Sequence, residues 1–259
     1  MNPTVELLNK RMSLRKYADK PISKEDLDII LHGAMRAPTA GNMMLYSILV
    51  IKDEEKKKRL SETCDNQPFI ATAPVVLIFL ADMERTYDYF KHCKVEEMCK
   101  ERNMEYREPG SASLFLAASD ALIAAQNAVV AAESIGIGSC YIGDIVENYE
   151  IHKGMFNLPD KVFPVGMLCL GHYPEDMERM TTTRHDKKYI IFDEEYRHLT
   201  GEEFNDMYDR FEKRLPKDNK FGAKNIGQIM YLRKFGTEFF KEMERSVELI
   251  YRHWKGKAK

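Results

Sequence analysis

The run ASDALIAAQNAVVAAESIGIGSCYIGD, residues 118–144, does most to set the architecture of the chain. From Ala112 to Ile135 the sequence is rich in alanine, and Gly136 stands where a residue past a helix end adopts the left-handed conformation. The pattern predicts one long helix whose small side chains pack closely against a second helix. GSCYIGD (138–144) then reads as a loop or a short strand. The glycines at 136, 138 and 143 invite comparison with a dinucleotide loop, but Tyr141 takes the third glycine position of GxGxxG. The segment also follows a helix rather than a strand, so that reading fails.

Working outward, YSILVI (46–51), VVLIFLA (75–81) and FPVGMLCL (163–170) are short apolar runs bounded by polar residues or proline. They predict strands buried on both faces. Ser23 is placed to cap a helix that carries Leu27, Ile30, Leu31 and Ala34 on one face, with Asp26 in its first turn. That helix must stop before Pro38. Thr4–Lys10 is amphipathic, DEEKKKRL (53–60) is a solvated helix face, 82–107 predicts one or two helices, and Tyr149–Phe156 another. Beyond Thr181 charge and aromatics alternate, ending in a helix expected over Ile226–Trp254. With no Gly/Ser linker, residues 1–259 read as a single domain in which 181–259 forms an extended C-terminal arm.

Composition excludes several classes. The chain has 259 residues, 44% hydrophobic and 31% charged, which places it among globular proteins and outside disordered or collagen-like ones. Its formal net charge is −2, negative before Thr181 and positive after it. There is no dense Lys/Arg stripe, so no nucleic-acid partner is expected. The longest apolar stretch, Ala112–Ile137, is interrupted by Ser119, Asp120, Gln126, Asn127 and Glu133, and no membrane span is expected from it. The first residues lack a signal-peptide core, and the five cysteines show no CxxC pairing. A cytoplasmic location with neither disulfides nor a metal site is the expectation.

Candidate chemistry begins at Arg11, Ser13 and Arg15. Two guanidinium groups and a hydroxyl within five residues suit an anion with several acceptor oxygens, such as phosphate, although the same residues also read as a solvated basic turn. GxxxxGK[ST], HExxH, GxSxG and EF-hand patterns do not occur. His92 with Cys93 and Cys99, and the neighbours His185 and Asp186, receive no role.

Six blocks occur in one order: RMSLRKY (11–17), PISKEDLDIILHGAMRAPTAGN (21–42), ILVI (48–51), NQPFIATAPVVLIFLAD (66–82), the 118–144 run, and LPDKVFPVGMLCLGHYPE (158–175). On these residues the chain resembles the FMN-dependent nitroreductase family. The resemblance implies an α+β fold, a central mostly antiparallel sheet flanked by helices, in an intertwined homodimer with flavin at the interface. It implies tightly bound, non-covalent FMN. Arg11 and Ser13, with Met12 between them, match the phosphate grip, and Arg15 matches a cation at the pyrimidine edge. Pro38, Thr39, Ala40 and Asn42 match the flavin-lining loop, Gln67 a contact to the polar edge of the ring, and Tyr141, Ile142, Gly143 and Asp144 the segment along the isoalloxazine. Arg184 matches a second phosphate-binding residue, with Lys187 a weaker candidate.

The sequence departs from the family at Met12, where Arg or His is common, and at Met43-Met44-Leu45-Tyr46, where many members have Gln-Pro-Trp. The activity implied is hydride transfer from NAD(P)H through flavin N5 to nitroaromatic, quinone or flavin acceptors in ping-pong order. No side chain is assigned as a catalytic acid or base. The alternatives are a specialised flavin enzyme of the same fold, of the dehalogenating or flavin-fragmenting type, and a flavin-binding protein without turnover.

Overall fold

The computed structural model describes residues 2–256. They form two compact units, one running to Thr181 and resuming at Glu242, the other spanning Thr182–Lys241.

The first unit is built on β1 (Tyr46–Ile51), β2 (Val75–Asp82), β3 (Ile137–Ile142) and β4 (Val162–His172), antiparallel and in the order β1-β2-β4-β3. The three apolar runs are strands as expected, and every residue of β2 is buried. The segment left open between loop and strand is β3, paired along its length with β4. With helices on both faces, this is the expected α+β arrangement.

Local chemistry fixes the helices. Asn2 caps α1 (Pro3–Lys10), and the Ser23 hydroxyl accepts from Asp26 N at 3.0 Å to start α2 (Lys24–Met35). The long helix, α6 (Ser111–Ser134), closes at Gly136 with φ 76°. It packs against α2 and all four strands, burying Ala121, Ala124, Ala125, Ala128 and Ala132 with Leu77, Phe79, Leu168 and Leu170. In length and composition α6 does suffice to cross a membrane, contrary to the expectation drawn from its polar interruptions. Only two of those interruptions, Asp120 and Glu133, are charged, and both are buried inside this unit.

The opposite face of the sheet carries Val76, Ile78, Cys140, Ile142, Met167 and Cys169, covered in part by Leu60 of α3 (Glu54–Thr63). Two helices, α4 (Glu84–His92) and α5 (Val95–Glu101), fill the 82–107 stretch. In α7 (Tyr149–Met155), His152 is fully buried; its Nδ1 donates to Ile145 O at 2.9 Å, and Nε2 accepts from the Thr63 hydroxyl at 2.8 Å. Burial lowers its pKa to about 4.

The second unit contains α8 (Gly201–Glu212), opened by a Thr200–Glu203 capping box, and α9 (Ile226–Met230). The single helix expected over Ile226–Trp254 is broken. After α9 a π turn, Tyr231–Phe235, ends at Gly236, and α10 (Glu238–Trp254) begins anew. Thr237 explains the restart, because its hydroxyl accepts from Phe240 N at 3.3 Å as a helix cap does. Trp254, at the end of α10, is fully buried in the first unit and donates to Gly110 O at 3.0 Å.

The neutral His152 makes stability depend on pH. Its folded pKa, about 4, lies below the ordinary 6.5, so the unfolded chain binds the extra proton and acid favours unfolding across that window. Between pH 7 and 4.5 the wild type should lose roughly 2 kcal/mol more than His152→Asn in denaturant titrations. Equal losses would contradict the assignment.

Candidate active site

Arg11 leaves α1 in an extended conformation, φ −61° and ψ 133°. The residues that follow do not make the tight turn expected of them; they run as a strap along the outer edge of β3. Ser13 bridges Ser139 in parallel, Leu14 N donates to Ser139 O at 2.9 Å, and Ala18 N donates to His172 O at 3.0 Å. Two glycines that face each other across β3 and β4, Gly138 and Gly171, make room for the strap. A Cβ on Gly138 would lie 2.6 Å from Leu14 Cδ2 and 2.9 Å from Leu14 Cβ, and one on Gly171 would overlap the Tyr17 ring. Leu14 is completely buried in consequence.

The strap brings Arg11, Ser13 and Arg15 around Cys140 of β3. Burial raises the pKa of that thiol, while the Arg15 and Arg11 charges and the Ser13 hydroxyl oppose the rise. Burial likewise pushes Tyr141 up to about 12, against the pull of Arg11. Met12 is half-buried between the two site residues. Among the described residues neither Arg11 nor Arg15 has a carboxylate partner.

At the far end of β3, Tyr141 is partly exposed, Ile142 is buried, and Gly143 and Asp144 lead into a short helical turn. Gln67 Nε2 donates to Asp144 Oδ2 at 2.7 Å and to Cys64 O at 2.9 Å. Arg15 stands 5.8 Å from the centre of the Phe69 ring, which ties the strap to the same segment. A Cβ on Gly143 would meet nothing within 4 Å, so there is open space over that backbone. Arg11, Ser13, Arg15, Gln67 and residues 141–144 are thus one neighbourhood, assembled along β3 from three separate stretches of sequence.

Pro38, Thr39, Ala40 and Asn42 form a second group, anchored on Asp120 of α6. The Thr39 hydroxyl donates to Asp120, Ala40 N to its Oδ1 at 3.0 Å and Leu45 N to its Oδ2 at 3.2 Å. Thr39 Oγ1 in turn accepts from Met44 N at 3.0 Å. The loop needs this support, because Asn42 and Met44 sit at φ 57° and 51°, where side chains other than glycine are strained. Sequence reasoning missed Asp120, treating it only as an interruption of an apolar run. An acid among the alanines of a core helix was the available signal, since a buried carboxylate requires donors. Met44 packs on the core, whereas Met43 is exposed; both border a groove of about 510 Å³ with Met35 and Val50. Arg184 and Lys187 are exposed residues of the second unit.

Residues 8–172, which include every member of these two groups, match the nitroreductase family. The chain belongs to that family. Among its nitroreductase-family relatives is an FMN reductase [NAD(P)H] of Bacillus subtilis, 33% identical over 205 residues, 77% of this chain and 79% of the relative. An FMN reductase (NADPH) of the same organism is 29% identical over 204 residues, 76% of this chain and 79% of its own. The structure superimposes on a putative oxidoreductase from Bacteroides fragilis with TM-score 0.80 and 31% identity, covering 96% of this chain and 98% of the other. The nitroreductase-family chain is an oxidoreductase by this relationship.

If Asp120 holds the loop, Asp120→Ala leaves two main-chain donors and a hydroxyl without their acceptor. The variant should lose about 2 kcal/mol of stability and exchange the Ala40 and Leu45 amides much faster than those of β2. Unchanged exchange at both amides would contradict the anchoring role.

Proposed function

We propose that this chain is an FMN-dependent NAD(P)H oxidoreductase acting on nitroaromatic, quinone or flavin acceptors. The observation that carries the reading is the strap, which sets two guanidinium groups without carboxylate partners and a hydroxyl along β3, beside Gln67 and the open backbone at Gly143. The FMN reductase relatives support it.

The residues fit the cofactor. Arg11 and Ser13 supply charge-assisted donors for a phosphate. Arg15 places a cation where the polar edge of a flavin ring is expected, and a cation there favours negative charge on that edge. Gln67 is oriented by its bond to Asp144 and keeps its carbonyl oxygen for a ring N–H. A main-chain donor at Gly143 or Asp144 needs close approach, which the space over Gly143 allows. Held by these residues, FMN would supply the hydride-transfer chemistry between a nicotinamide and the acceptor. The protein contributes binding, orientation and electrostatics, with no side-chain acid or base.

The working form in this reading is a homodimer. Phe115, Leu116, Leu122 and Ile123 of α6 are exposed, as are Val5 and Leu8 of α1. A second copy covering this apolar face accounts for it. The five free thiols are in keeping with a reducing cytoplasm.

The purified protein should show flavin absorbance and oxidise NAD(P)H with a quinone. Arg11→Ala should weaken FMN at least tenfold, the equivalent of losing one charged hydrogen bond of about 1.5 to 3 kcal/mol. Equal affinity in both proteins would overturn the phosphate assignment. For assembly, Ile123→Lys should shift the molecular mass in light scattering from dimer to monomer, and an unchanged mass would remove α6 from the interface.

A further inference from the structure

A cavity of about 830 Å³ opens beside the strap, bounded by residues 15–22, by Lys52 and by the segment that follows Gln67. Its size falls in the range of small-molecule sites. Its charge is opposite to that of the chain: Arg15, Lys16, Lys20 and Lys52 line it against a single carboxylate, Asp19, while the chain as a whole is at −2. Among the described residues none of these four cations is in an ion pair, as is true of most lysines of the chain, so all four are available to a ligand. Phe69 adds a flat apolar surface to the same wall, with the Arg15 guanidinium 5.8 Å from the centre of its ring.

Unpaired cations around an apolar wall suit a ligand that carries phosphates and a flat ring. Arg15 belongs to this cavity and also to the neighbourhood of Gln67 and residues 141–144, so a ligand seated here lies next to the flavin site proposed above. The hydride donor has that form: its nicotinamide must reach the flavin, while its pyrophosphate, its adenosine and, in NADPH, a 2′-phosphate extend beyond it. We propose that the cavity receives the phosphorylated adenosine arm of NAD(P)H, with Lys16, Lys20 and Lys52 meeting the phosphates and Phe69 the adenine. This assignment rests on the oxidoreductase reading for its ligand, but it is tested without turnover.

Calorimetric titration of the FMN-loaded protein with adenosine 2′,5′-bisphosphate, which has no nicotinamide, provides the test. The wild type should bind it, and Lys20→Glu combined with Lys52→Glu should weaken binding at least tenfold while the flavin absorbance is retained. In turnover the same variant should show a raised KM for NADPH at similar kcat. With 1-benzyl-1,4-dihydronicotinamide, which offers no phosphate to these lysines, its KM should match that of the wild type. No binding by the wild type, undiminished binding by the variant, or equal displacement by inorganic phosphate would overturn the proposal. Should the bisphosphate bind and the variant lose it while the wild type fails to oxidise NADPH, the oxidoreductase reading falls and the cavity assignment stands.

Discussion

The missing side chains at Gly138 and Gly171 are the constraint on which the rest of the site depends. They face each other across β3 and β4, and a Cβ on either would collide with the strap. Because both are glycine, Leu14 sinks out of solvent, Tyr17 lies against β4, and the main chain bonds to Ser139 and His172. An extended arm loses conformational freedom when it is fixed, and the buried side chains with two main-chain hydrogen bonds offset that loss. The outcome is chemical as well as structural. Arg11, Ser13 and Arg15 are held to a strand that ends at Tyr141–Asp144, where Gln67 is also tied. In the proposed reading, a phosphorylated ring is therefore held at a rigid sheet edge rather than by a mobile loop.

The second organising element is α6. Its alanines let α2 and the sheet come close, and its two buried carboxylates hold outlying segments in place. Asp120 anchors the 39–45 loop. Glu133 accepts from the Tyr173 hydroxyl at 2.8 Å and pairs with Arg179, which lies 3.9 Å from the centre of the Tyr173 ring. Buried carboxylates would be costly without such partners, and each is satisfied by the segment it positions. The helix that forms the core thus also fixes the 39–45 loop and the segment carrying Tyr173 and Arg179.

Much of this was legible in the sequence. Ser23, Gly136 and the three apolar runs announce α2, the end of α6 and three strands, because caps and buried strands are specified by local residue chemistry. The strand β3 was not decidable, since Gly138, Ser139 and Cys140 become a strand only through pairing with β4. The family resemblance grouped the candidate residues around one flavin, but what holds them was not legible: the strap is docked by glycines about 125 and 155 residues away, and Asp120 reveals its role only when the 39–45 loop is folded onto it. Local periodicity also carried the last helix through Gly236 and Thr237, where a missing side chain and a new cap divide it.

The central claim is that glycine at 138 seats the strap and so makes the phosphate site. Equilibrium FMN binding to Gly138→Ala measures it most directly, read beside a thermal melt of the same sample. The account predicts a cooperatively folded variant whose FMN affinity falls at least tenfold, as when a charged hydrogen bond to phosphate is lost. A Gly138→Ala protein that binds FMN as the wild type does would contradict it.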